Sequence, residues 1–284
     1  MINLDNIHPK AEAIKISTLL KAANMYTFPL HLKDIIINYS KCRNQCDCIH
    51  CIDRDCIIDI VGEDLSQDYD GELVKTDKGW VIIYNNKVSY SGRINFTLAH
   101  EFGHYILHRK LFPQGMKCTK QDIANSELCK DIESQANQFA SFLLMPLDDF
   151  RLESQKQSFS VELFENLSKR YGTSITATML KWIDMTNQDA MLIFSDNGFV
   201  DWTRISQSLF KKNLIHPISR KDVQEIPDNS LTARVYKGST KRFENEQENI
   251  WYNQSRTSEV VFYAPNFEGT LTVILFHDIQ KIIE

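Results

Sequence analysis

The sequence has no run of eighteen or so apolar residues, the length a helix needs to cross a bilayer, so no membrane span is expected. No secretory opening is expected either. Met1 is followed by Asn3, Asp5 and His8, and the first apolar stretch, Ile14 to Leu20, is broken by Lys15 and Ser17. Glycine (10) and proline (7) are scarce for 284 residues, which leaves little room for long irregular stretches. Excess positive charge is lacking too. Lys+Arg is 32 against Asp+Glu 37, a net charge of -5, which argues against nucleic-acid binding as the dominant role. A cytoplasmic protein is the expectation, and there clustered cysteines are thiols or metal ligands more often than disulfides.

What is present describes a folded chain. Hydrophobic residues are 43% and charged residues 24%, enough to bury a core in one large domain or two ordinary ones. The patterning predicts an α+β fold: a mainly helical core with a small sheet, then a smaller β-rich carboxy-terminal domain. Two helices are expected over 9–40, and short strands at Ile57–Val61, Glu72–Lys75 and Trp80–Tyr84, punctuated by Asp70-Gly71 and Lys78-Gly79. Helices are expected at Phe96–Lys110 and Ser126–Met145, the first ending in the cations His108, Arg109 and Lys110, which suit the negative end of a helix dipole. A helix pair, Val161–Tyr171 and Ile175–Ile183, follows. Strand-like runs then appear at Met191–Phe194, Leu231–Tyr236, Glu259–Tyr263 and Leu271–Phe276. These place a boundary near Asp189, giving domains 1–189 and 190–284.

His100-Glu101-Phe102-Gly103-His104 carries the sharpest chemical signal. Residues four apart share a helix face, so His100 and His104 can hold one metal ion between them. Glu101 sits one step round, where a carboxylate can reach a water on the metal as general base without being a ligand. A catalytic zinc site needs a third protein ligand. His108 is about 12 Å along the axis from His100 at roughly 1.5 Å per residue, too far to close the same site, and is read as a capping or supporting residue. The next helix offers Glu127, Asp131 and Glu133. Only Glu133 begins the apolar stripe of Ala136, Ala140 and Leu144, and a carboxylate there needs a partner that a metal supplies. Gly103, Ala136 and Ala140 are small enough to let the two helices approach, and Asn137 is placed to orient the carboxylate.

The stretch Phe96-Thr97-Leu98-Ala99-His100-Glu101-Phe102-Gly103-His104 resembles the signature of the ImmA/IrrE family of zinc metallopeptidases. The partner motif is Glu133-Ser134-Gln135-Ala136-Asn137-Gln138-Phe139-Ala140, followed by Leu143-Leu144-Met145-Pro146. Phe28-Pro29-Leu30-His31-Leu32-Lys33-Asp34-Ile35 and Asp70-Gly71 ahead of Val81–Asn85 are similar to the family as well, so the resemblance covers roughly 10–185. It implies His100, His104 and Glu133 as zinc ligands, Glu101 as base, and repressors with a helix-turn-helix domain as substrates, cut to derepress stress or mobile-element genes. Asn95 stands where members often carry a second basic residue, leaving Arg93 alone. The alternative is a non-proteolytic regulator that binds and displaces a repressor or antitoxin; the intact Glu101 favours the enzyme. Trp80–Asn85 is a candidate strand for pairing with substrate backbone, and Tyr84, Tyr90, Arg93 and Tyr105 are candidate oxyanion donors.

Five of the seven cysteines fall at Cys42, Cys46, Cys48, Cys51 and Cys56, with His50 among them. The spacings suit a tetrahedral thiolate site, so a second structural ion or a redox role is a candidate for this insert, which lies outside the family resemblance. Cys118 and Cys129 are read as buried thiols. The pair at 161–183 has the outline of a helix-turn-helix, with Lys169, Arg170 and Lys181, but its apolar residues are those of any packed pair, and direct DNA binding is not expected. Lys237–Arg242 is read as a solvated loop.

Overall fold

A computed structural model of the chain describes residues 7–43, 55–65, 70–88, 90–115, 126–218, 221–236, 242–253, 255–264 and 269–279. The fold is α+β, with a largely helical region around a three-stranded sheet and a separate five-stranded sheet after it. Two compact units are distinguished, 1–149 with 168–174, and 150–167 with 175–284.

In the first unit, α1 (Pro9–Ala22) opens with Pro9 where a helix needs no amide donor, carries Glu12 in its first turn and Lys21 in its last. It buries Ala13, Ile16 and Leu20 and packs against α4 (Glu127–Leu144). After α2 (Leu32–Arg43) come β1 (Ile57–Glu63), β2 (Gly71–Thr76) and β3 (Gly79–Asn85), in the order β1-β3-β2. β1 runs parallel to β3, and β2 pairs with it as an antiparallel hairpin. The strand 80–85 is therefore the central one, hydrogen-bonded on both sides, and it has no edge to offer a substrate. That expectation is corrected by the strand order, which leaves β2 at an edge of the sheet, packed against the helix α3 (Ser91–Leu107).

Helix α3 begins five residues earlier than its apolar pattern shows and stops at Leu107, so His108, Arg109 and Lys110 lie in the turn beyond it. Arg109 is not a solvated dipole partner. It is buried, donates from Nε to Asp55 at 2.9 Å, and covers the ring of Tyr105. Helix α4 is capped by Ser126, whose hydroxyl accepts from the Cys129 amide, and its buried face is Ile132, Ala136, Phe139, Ala140, Leu143 and Leu144. Asn95 donates to the carbonyl of Gly172 at 2.9 Å, and Arg93 makes a paired contact with Asp70.

Helices α5 (Leu147–Gln155), α6 (Val161–Tyr171) and α7 (Ile175–Met185) follow. A recognition helix must expose its basic face to read DNA. On α7 the basic residue Lys181 is buried and the exposed residue is Asp184.

The five-stranded sheet is antiparallel throughout, ordered β5-β4-β8-β7-β6: β4 (Ala190–Asp196), β5 (Phe199–Ile205), β6 (Arg242–Glu248), β7 (Ser255–Ala264) and β8 (Gly269–Ile279). Helix α8 (Gln207–Lys212) is capped by Ser206 and ends at Asn213 in the left-handed region. The run Leu231–Tyr236, expected as a strand, is a helix, α9. Ser230 accepts from the Ala233 amide, and the carboxylate of Glu259 on β7 accepts from the Leu231 amide at 2.8 Å. Those two acceptors satisfy the first amides of a helical turn and outweigh the strand preference of Leu-Thr-Ala-Arg-Val-Tyr. Arg242, expected in a solvated loop, opens β6. The core of this unit gathers Met191, Ile193, Val200, Leu209, Trp251, Ile274 and Phe276.

Candidate metal centre

Helices α3 and α4 pack along each other where Gly103 faces Ala136, and this contact brings their polar residues together. Nε2 of His100 lies 2.9 Å from Nε2 of His104, 3.0 Å from one carboxylate oxygen of Glu133, and Nε2 of His104 lies 3.4 Å from the other. Ligands held at about 2.1 Å in a tetrahedral site stand roughly 3.4 Å apart, so this spacing fits one small ion at the centre of the three. Among the described residues, these form the group of His, Cys, Asp and Glu side chains able to hold a metal.

The alternatives for the third ligand are placed elsewhere. Glu127 is largely exposed and pairs with Lys130, and Asp131 is exposed. Asn137 does not hold the Glu133 carboxylate. Its side-chain oxygen lies 3.0 Å from Nδ1 of His100. An amide oxygen only accepts, so His100 donates from Nδ1 and turns a bare Nε2 towards Glu133 when neutral.

Electrostatics express the shortage of positive charge. Burial works to raise Glu133, but its contacts with the His100 and His104 rings outweigh it and hold its carboxyl far below the usual range. Burial works to lower His100, yet the bond to Glu133 prevails and the imidazole rises above its ordinary value. Burial pushes His104 down to about 4. Glu101 is also buried, and desolvation, aided by the charges of Glu133 and Glu72, pushes its carboxyl up to about 7. It faces β2, where a β-carbon on Gly71 would meet Thr97 at 2.5 Å and the Glu101 side chain at 3.2 Å; only glycine lets the strand pass so close.

His108, at the end of α3, is buried with Nδ1 3.0 Å from Nδ1 of His104 and Nε2 2.9 Å from Oε1 of Gln135. Sequence reasoning passed over Gln135; its signal was its position two residues after Glu133. Three of the four oxyanion candidates have other partners: Tyr105 donates to the carbonyl of Asp55, the Tyr84 hydroxyl accepts from Lys33, and Arg93 pairs with Asp70. Tyr90 lies exposed at the start of α3. Of the cysteine insert, Cys46, Cys48 and Cys51 lie outside the described residues, as does the side chain of Cys42, while Cys56 is buried just before β1. Cys118 is outside them too, and Cys129 is half-buried.

Residues 55–182 match the model of a protein family described as Peptidase_M78, the IrrE N-terminal-like domain. No curated protein matches the chain. Among solved structures, a Mycobacterium tuberculosis transcriptional regulator is similar over 94% of this chain and 76% of its own, with a TM-score of 0.58 and 12% identity, a likeness that speaks for the fold alone. No helix among the described residues is long and apolar enough to cross a membrane.

Proposed function

From the match of residues 55–182 to the IrrE N-terminal-like domain we propose that the chain is a zinc-dependent endopeptidase of the ImmA/IrrE kind, acting in the cytoplasm on a helix-turn-helix transcriptional repressor, whose cleavage derepresses stress-response or mobile-element genes. The observation that carries the reading is the convergence of His100, His104 and Glu133, with the buried carboxyl of Glu101 beside them. Zinc held there supplies Lewis acidity towards water and towards a peptide carbonyl.

The chain's own groups do the proton work. Glu101 takes the proton of the attacking water and delivers it to the departing amine. A carboxyl pushed up to about 7 by burial exchanges protons near neutrality, and a divalent charge nearby lowers it towards the ionised form a base needs. His100 and His104 contribute as neutral rings, as metal ligation requires. The substrate backbone is placed on the β2 side, where Gly71 brings the strand against Glu101. The first domain is proposed to extend to about residue 189, just before β4, with 190–284 as a second domain.

A regulator that only binds and displaces a repressor has no use for Glu101, whose burial beside Glu133 is unfavourable without a catalytic return. The test is incubation of the purified protein with a repressor encoded by a neighbouring gene, with zinc, with a chelator, and with Glu101→Gln. Cleavage is expected only with zinc and the intact Glu101. Displacement of the repressor from DNA without any cut product would establish the alternative.

A further inference from the structure

The two ring nitrogens of His104 face different neighbours. Nε2 faces His100 and Glu133, whereas Nδ1 lies 3.0 Å from Nδ1 of His108. Two ring nitrogens at that distance share one proton, so one ring donates and the other accepts. The choice is made further out. Nε2 of His108 lies 2.9 Å from Oε1 of Gln135, and an amide oxygen accepts only. His108 therefore carries its proton on Nε2 and leaves Nδ1 bare. The bond to His104 then requires Nδ1–H on His104, and its Nε2 is left with a lone pair directed at the cluster.

We propose that Gln135 and His108 are positioning residues, a chain of two hydrogen bonds that fixes His104 in the Nδ1–H tautomer and so keeps its Nε2 available to a metal ion. This inference rests on the metal-site reading of His100, His104 and Glu133. Neither residue touches the ion. Burial makes the chain decisive, because His108 and His104 are 1% and 5% exposed and little water is present to offer other partners. The geometry follows from the helices. His108 is one turn beyond His104 and shares its face, and Gln135 comes from α4, which also supplies Glu133 and Asn137. Capping does not explain the side chain, since the bond from His108 to the carbonyl of His104 is made by the backbone amide.

The test uses the full chain freed of metal. Zinc affinity is measured by competition with a chromophoric chelator, and ring protonation by nitrogen–proton correlation spectra of labelled histidines. In the wild type, His108 is expected as the Nε2–H tautomer and His104 as Nδ1–H. His108→Leu removes the acceptor and is expected to weaken zinc binding about 10- to 100-fold. His108→Asn places an amide oxygen where Nδ1 stood and is expected to recover most of that loss. Gln135→Leu frees the choice of tautomer and is expected to weaken binding less, whereas Gln135→Glu keeps an acceptor and is expected to bind like wild type. An Nε2–H tautomer at His104 in the wild type overturns the inference, and that readout needs no variant to fold. Equal loss in His108→Leu and His108→Asn overturns it too, as does wild-type affinity in His108→Leu. Failure of the wild type to bind zinc at all strikes the metal-site reading instead.

Discussion

Gly103 on α3 sits against the backbone of Ala136 on α4, so close that a β-carbon at 103 would stand 3.3 Å from both the Cα and the carbonyl oxygen of Ala136. The Phe139 ring would be 3.0 Å away. This contact sets the distance between the helix that carries His100 and His104 and the helix that carries Glu133.

Widening it should spoil the metal site before it spoils the helices. Gly103→Val is expected to cost about 1–3 kcal/mol of stability through overpacking and to reduce zinc affinity at least tenfold. Gly103→Ala gains about 1 kcal/mol of helix propensity against a tight contact and should come out near neutral. Chemical denaturation and chelator competition on the two variants measure both effects. Unchanged zinc affinity in a folded Gly103→Val protein would show that helix spacing does not govern the site.

Removing the cluster's ligands tests where metal goes. The double variant His100→Ala with His104→Ala should lose the ion, and metal analysis after dialysis reads the result. Zinc that persists and is released by thiol alkylation would locate a second ion at the cysteines of 42–56. Zinc that persists and resists alkylation contradicts both assignments.

Arg109 tests an anchor rather than the chemistry. Its guanidinium is buried, donates to Asp55 and to the carbonyl of Tyr105, while Trp80 donates to the same Asp55 carboxylate at 3.1 Å. Arg109→Ala removes a buried cation from that carboxylate and should destabilise the first unit by about 3 kcal/mol. A thermal unfolding midpoint within a degree or so of wild type would show that the pair is worth little.

The second unit should respond to pH through Glu259. Burial pushes its carboxyl up to about 7, although the Leu231 amide donates to it. The group is raised in the folded state relative to the ordinary value of 4.5, so its contribution is fully present below about pH 4.5 and is lost as pH rises through about 7. Glu259→Gln keeps an acceptor for α9 and should flatten that dependence, gaining on the order of 2–3 kcal/mol over wild type above neutrality. Urea unfolding of both proteins between pH 4.5 and 8 checks it. Parallel pH profiles would exclude Glu259 as the source.

Much of the chemistry of α3 is local and legible in the sequence. His100 and His104 share a face in any helix, and Glu101 falls beside them whatever the rest of the chain does. The stripe that singled out Glu133 is also a property of one helix. The role of His108 was only half legible: spacing excluded it as a ligand, but its proton direction depends on Gln135, which arrives from another helix. Asn137 was assigned to the right neighbourhood and the wrong partner, for it holds His100 rather than Glu133.

Elsewhere the local signal was overruled by distant atoms. Leu231–Tyr236 has the composition of a strand, yet Glu259 on β7 captures its first amide and the segment turns helical. Trp80–Asn85 looks like a strand from its own residues, but whether it is an edge or a centre depends on pairing with β1 and β2, and it is the centre.

The α+β composition and the placing of His100, Glu101 and His104 on one helix were legible in the sequence, because periodicity and spacing act within a single helix or strand. The tertiary structure alone decided that Glu133 meets the two histidines, which nitrogen of each ring faces inward, and which strand borders Glu101. Those depend on contacts between residues far apart in the chain, at Gly103 with Ala136, His108 with Gln135, and Gly71 with Glu101, which no local pattern encodes.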